Sequence, residues 1–220
     1  MPASGCRFFE TEHHAQVSRD IRAAIMGGRL IALTAVIGSG KTILSRRLRA
    51  DLEREGRVIV SRSLSIDKAK IRLPLLEAAL KRLIELVAEG GGQLSIVLVG
   101  HPKLKNDLRR PKMEEIGDRT TVFEFGGLRD QQRDYIDWVL KASLEEGTAP
   151  DGVLTDEAAT LLAAKLKTPL QIGQHLVRAF EAGFEIGAKP IAAGVVEAVL
   201  SRKRDELEAH VSAVAATHCF

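Results

Sequence analysis

Long apolar runs are missing from this chain. Nowhere do eighteen apolar residues follow one another, and the first residues hold no apolar stretch of the secretory kind. Neither a membrane span nor a signal segment is expected. Cysteine is scarce too: Cys6 and Cys219 lie near opposite ends without metal-ligand spacing. That excludes a disulfide framework and fits a reducing cytoplasm. Charge of one sign is lacking, since the net charge is only +3, so any basic footprint for nucleic acid has to be local. The histidines at 13, 14, 101, 175, 210 and 218 are scattered, and His13-His14 would diverge on a helix, so no metal centre of histidines is expected. No Ser-His-Asp or paired-carboxylate arrangement can be singled out.

What is present is ordinary globular material, 45% apolar and 28% charged over 220 residues. A chain of this length buries roughly 70% of its unfolded surface. Its most informative segment is Gly38-Ser39-Gly40-Lys41-Thr42, placed after the apolar run Leu30-Ile31-Ala32-Leu33-Thr34 and before a helical pattern. Strand, glycine turn and helix in that order make a phosphate cradle. Small residues let backbone N–H groups close around an anion, and the helix N-terminus, worth about +0.5 charge, points at the same spot. Residues Ala35, Val36, Ile37, Gly38, Ser39, Gly40, Lys41 and Thr42 are therefore expected to hold a nucleoside triphosphate, with Lys41 on the outer phosphates and the Thr42 hydroxyl on Mg2+.

Apolar residues Val17, Ile21 and Ile25 recur at helical spacing before Gly27-Gly28, and Leu44, Leu48 and Leu52 mark a helix stopping at Gly56. Arg57 to Ser61 reads as a second strand. Leu73 to Val87 reads as a helix ended by Gly90-Gly91-Gly92, and Leu94–Val99 and Thr121–Phe125 read as further strands. Strands alternating with helices predict an α/β fold, a parallel sheet covered on both faces. From Leu128 onward only helices are expected. One spans Asp130 to Leu144 with Tyr135, Trp138, Val139 and Ala142 inward; others start at Thr155, Thr168-Pro169 and Lys189-Pro190. The organisation expected is a P-loop nucleotide-binding domain at 1–127, a helical domain at 128–205 and a charged tail at 206–220.

This layout resembles the AAA+ ATPases. The segments Leu33 to Thr42 and Val99-Gly100-His101-Pro102-Lys103-Leu104, with the basic stretch to Ile116, resemble the ExeA-like and TniB/TnsC-like members that serve bacterial secretion and DNA transposition. Phe125-Gly126-Gly127-Leu128 and Thr168-Pro169-Leu170-Gln171-Ile172 stand where that family enters and closes its lid; the match covers about residues 8 to 205. The resemblance implies an all-helical AAA+ lid, ATP and Mg2+, a homo-oligomer, and a transposase or another machine as partner. It also implies two catalytic positions: His101, where the family senses the terminal phosphate, and Arg119, where related ATPases present an arginine finger to a neighbour.

Three departures stand out. The family has glycine where this chain has Ala35, and a methyl there is expected to strain the loop and weaken binding. The family's Asp-Glu strand, Walker B, is not found: the chain looks internally shortened near 70–82, and Leu86-Val87-Ala88-Glu89 belongs to a helical stripe. The lid arginine after a Gly-x-Pro turn is replaced by Leu170. Hydrolysis is therefore expected to be absent or slow, and a decayed, non-hydrolysing interaction module is the alternative. A small-molecule kinase is disfavoured, because the C-terminal helical region is too large for a kinase lid. The one dense basic run, Lys103, Lys105, Arg109, Arg110 and Lys112, is the candidate for DNA phosphates, although no aromatics interleave with it.

Overall fold

The computed structural model describes residues 8–56, 59, 73–144 and 149–201. The expected second strand at 57–61 and the tail at 206–220 fall outside the described residues. The chain divides into two compact units at Gly127/Leu128.

In the first unit, helix α1 (Glu12–Met26) leads into strand β1 (Leu30–Thr34), and the glycine turn into α2 (Lys41–Glu55). Helix α3 (Leu73–Glu89), strand β2 (Ile96–Gly100), short helices α4 (Lys103–Leu108) and α5 (Glu114–Asp118), and strand β3 (Thr120–Glu124) follow. The strands form a parallel sheet in the order β2-β1-β3, with Leu30 opposite Ile96 and Thr120, and Thr34 opposite Gly100 and Glu124. Strand β1 is buried along its whole length, as a continuous apolar run in a central parallel strand requires.

The period-two alternation of side chains sorts the sheet into two faces. Ile31, Leu33, Ala35 and Phe125, with Phe123 beside them, pack against Val17, Ile21 and Ala24 of α1 and Leu44, Leu48 and Leu52 of α2. Leu30 and Ala32, with Ile96, Leu98 and Val122, pack against Leu80, Leu108, Met113 and Ile116. An Arg22–Glu55 ion pair ties α1 to α2. Gly117 lies so close to α4 that a Cβ there would overlap the Leu108 carbonyl oxygen.

The second unit is helical: α6 (Gln132–Ser143), α7 (Asp156–Lys165) and α8 (Pro169–Glu185), with residues 193–201 also helical. Thr155 caps α7 by accepting the Ala158 N–H at 3.3 Å. Thr168 and Gln171 form a reciprocal cap around Pro169 at the start of α8. Two expectations are corrected here. The fully buried face of α6 is Ile136 and Leu140, whereas Tyr135, Trp138, Val139 and Ala142 are only partly covered. Pro190 does not open a helix. Ile191 pairs with Leu154 in a parallel bridge, its N–H donating to the Val153 carbonyl at 2.9 Å, which holds that stretch extended until residue 193. No described helix is long and apolar enough to cross a membrane.

Candidate nucleotide-binding site

The turn after β1 is pinned from both sides before it opens. The Thr34 carbonyl accepts the Phe125 N–H at 2.8 Å, and the Ala35 N–H donates to the Gly100 carbonyl at 3.1 Å. Two glycines then take left-handed torsions, Gly38 at φ 80 and Gly40 at φ 99, where a side chain would be strained. Gly40 is also the N-cap of α2, so the first N–H groups of a 15-residue helix face the turn. Ser39 is buried, and its Oγ donates to the Val36 carbonyl at 2.9 Å. Lys41 folds back over the turn, its Nζ donating to the carbonyls of Ala35 at 2.7 Å and Val36 at 2.8 Å. Burial lowers the pKa of that ammonium.

This arrangement fits a polyphosphate. Two positive-φ glycines leave the backbone bare of Cβ atoms, a helix N-terminus supplies donors, and a cation rests on carbonyls that it can exchange for anionic oxygens. Val36 and Ile37 project outward, 47% and 75% exposed. Thr42 is exposed on the first turn of α2. The described residues hold no group of three His, Cys, Asp or Glu able to bind a metal. Thr42 is the residue of the turn that would meet a magnesium ion carried by the nucleotide's oxygens.

Ala35 overturns one expectation. Arg129 is the described non-glycine residue with positive φ, so Ala35 has ordinary torsions. Its methyl, 3% exposed, is part of the core beneath the sheet. The side chain packs; it does not strain the turn.

The parallel register fixes where the other candidates lie. His101 follows Gly100, the partner of Thr34, and so sits beside the phosphate turn; it is exposed, and its Nδ1 accepts the Lys103 N–H at 3.4 Å. Arg119 precedes Thr120, the partner of Leu30, and so lies at the opposite end of the sheet, in a 3.8 Å ion pair with Glu115. Five residues of β1 separate the two ends by about 13 Å at ~3.3 Å per residue. Leu86-Val87-Ala88-Glu89 forms the end of α3. In the basic run, Lys105 pairs with Glu124 at 2.5 Å and Arg110 with Asp107 at 3.0 Å. Lys103 and Arg109 are exposed. A cavity of about 300 Å³ beside α4 is lined by Lys105 and Arg109 but also by Glu114 and Asp118, a mixed rather than a purely basic lining.

Sequence reasoning passed over the back wall of the turn. Phe125 stacks against His13 at 6.4 Å between ring centroids and meets the tilted ring of His14 at 4.7 Å. The signal was the spacing Thr11-x-x-His14, a helix cap with histidine in the place usually held by Glu or Gln.

A parallel sheet with a glycine turn after its central strand, followed by a helical unit, makes an α/β fold of the P-loop type. Solved structures share it. The Holliday junction branch migration motor RuvB of Thermotoga maritima superposes with a TM-score of 0.56 at 15% identity, covering 86% of this chain and 67% of that one. A RuvB variant gives 0.56 at 15% identity, covering 88% and 69%. A chain of Drosophila ORC bound to DNA gives 0.51 at 15% identity, covering 85% of this chain and 59% of that one. No protein-family model and no curated protein matches the sequence.

Proposed function

We propose that this protein binds ATP in the turn at residues 35–42 and acts as an oligomeric, nucleotide-switched partner of a DNA transposition or secretion machine, hydrolysing ATP slowly or not at all. The observation carrying the reading is Lys41, held over a positive-φ glycine turn at the N-terminus of α2. In this reading the nucleotide-binding domain is 1–127, shortened near 70–82, and a lid at 128–205 precedes the tail. Thr42 meets the magnesium ion, His101 senses the terminal phosphate, and Arg119 serves a neighbouring subunit, a role that its place at the far end of the sheet from its own turn supports. RuvB is a Holliday junction motor and the ORC structure is bound to DNA, which supports the transposition side over secretion. Lys103, Lys105, Arg109, Arg110 and Lys112 are the phosphate contacts assigned to that role. Slow hydrolysis follows from the lack in the sequence of an acid found to align the water.

Labelled ATP retention by the intact protein and by Lys41→Ala tests the reading. Retention is expected to vanish in the variant, and equal retention would overturn it. Turnover with magnesium is expected below about one per minute, far under the usual enzyme range. If the intact protein shows neither retention nor stabilisation by millimolar ATP, the chain is instead a decayed interaction module.

A further inference from the structure

Behind the phosphate turn, one buried histidine joins α1 to the segment that walls the turn. His14 is 3% exposed, and its Nε2 lies 2.8 Å from the Gly127 carbonyl oxygen. A carbonyl can only accept, so Nε2 carries the proton. Nδ1 lies 3.4 Å from the Thr11 N, whose N–H it can accept, and 3.3 Å from the Phe9 carbonyl oxygen, to which only a protonated Nδ1 donates. Gly127 has φ +65, and a Cβ there would sit 3.5 Å from Ser39 Cβ. Phe125 is fixed from the other side by its N–H to Thr34 and lies under Gly40, 3.8 Å from where a Cβ on that glycine would be. His14 is thus joined by a hydrogen bond to Gly127, which lies beside Ser39, and by ring contact to Phe125, which is bonded to the end of β1.

We propose that His14 is a positioning residue for the nucleotide site: its Nε2–H fixes Gly127 in place beside Ser39 and keeps the glycine turn in the shape that accepts phosphate. The inference rests on the nucleotide reading above. Without the donor, Gly127 and Ser39 are free to separate. The turn then visits shapes that cannot bind, and apparent affinity falls by the fraction of time spent in them. A buried hydrogen bond of this kind changes such an equilibrium by up to about tenfold.

Titration of fluorescent ATP, with a melting curve of each protein, separates the alternatives. His14→Gln places an amide donor near the position of Nε2, whereas His14→Phe keeps the aromatic packing on Phe125 but cannot donate. The Gln variant is expected to bind within about threefold of the unaltered protein, and the Phe variant about tenfold more weakly. Gly127→Ala reaches the same contact from the other side, with a left-handed torsion that alanine resists. It is expected to weaken binding to a similar degree, and it decides alone if His14→Phe does not fold. Unchanged affinity in His14→Phe and Gly127→Ala overturns the inference while leaving the nucleotide reading intact. Equal loss in the Gln and Phe variants also overturns it, since ring packing would then be what counts. Failure of the unaltered protein to bind ATP in a Lys41-dependent manner removes both.

Discussion

Ala35 shows how the same methyl group reads differently before and after its surroundings are known. By comparison with a glycine-bearing turn it looked like an obstruction, yet it is buried under the sheet with unstrained torsions. Ala35→Gly should therefore bring no gain in ATP affinity. It should lower stability by about 1 kcal/mol, from lost burial and added backbone freedom. Denaturant melts and ATP titrations of the two proteins check this, and tighter binding in the variant would restore the strain argument. Glu124 governs a second residue-level question. Its carboxyl is held below the usual carboxylate range, first by the hydrogen bond from Lys105 and then by the charge of the same side chain. Glu124→Gln releases Lys105. If the basic run meets DNA, affinity should rise and the salt dependence steepen by about one unit of slope. Identical salt titrations would remove Lys105 from the interface.

At the level of elements, α4 and α5 are too short to carry a periodic signal, and the contact that sets their packing is a missing side chain. Gly117→Ala would drive a methyl into the Leu108 carbonyl, a backbone group that cannot turn aside. A loss of at least about 2 kcal/mol is expected from chemical denaturation, and a loss under half of that would show that α5 moves freely. Helices α1, α2 and α3 were legible because fifteen or more residues repeat one apolar stripe and end at glycine. β1 was legible because a central parallel strand is apolar throughout. The inward face of α6 was not, because Tyr135 and Trp138 carry large apolar rings yet also polar atoms that favour the partly covered edge. Pro190 misled because the fixed φ of proline suits an extended bridge as well as a helix start. The phosphate turn could be read from residue order alone, whereas the His14–Gly127 bond joins residues 113 apart in the chain and no local pattern reports it.

For the molecule as a whole, the nucleotide site and Arg119 occupy opposite ends of one sheet, and that separation makes a prediction about stability. A ligand that binds only the folded state adds about 2.7 kcal/mol at a hundred times its dissociation constant. For a folding unit between about 100 and 200 residues this raises the melting temperature by roughly 5 to 15 °C. The gain belongs to the transition in which the sheet unfolds, because β1 and α2 bracket the turn. Lys41→Ala should abolish it. Arg119→Ala should leave it unchanged, since Arg119 lies beyond the far end of β1, about 20 Å from the start of the turn at ~3.3 Å per residue, and pairs with Glu115. In the proposed reading its contribution goes to a neighbouring subunit's nucleotide and shows only at concentrations where copies assemble. Calorimetry of both variants at low protein concentration, with and without ATP, measures this directly. Should Arg119→Ala remove the ATP-dependent shift as fully as Lys41→Ala does, the two ends of the sheet are coupled within one chain, and an arginine acting only across a subunit boundary is the wrong description.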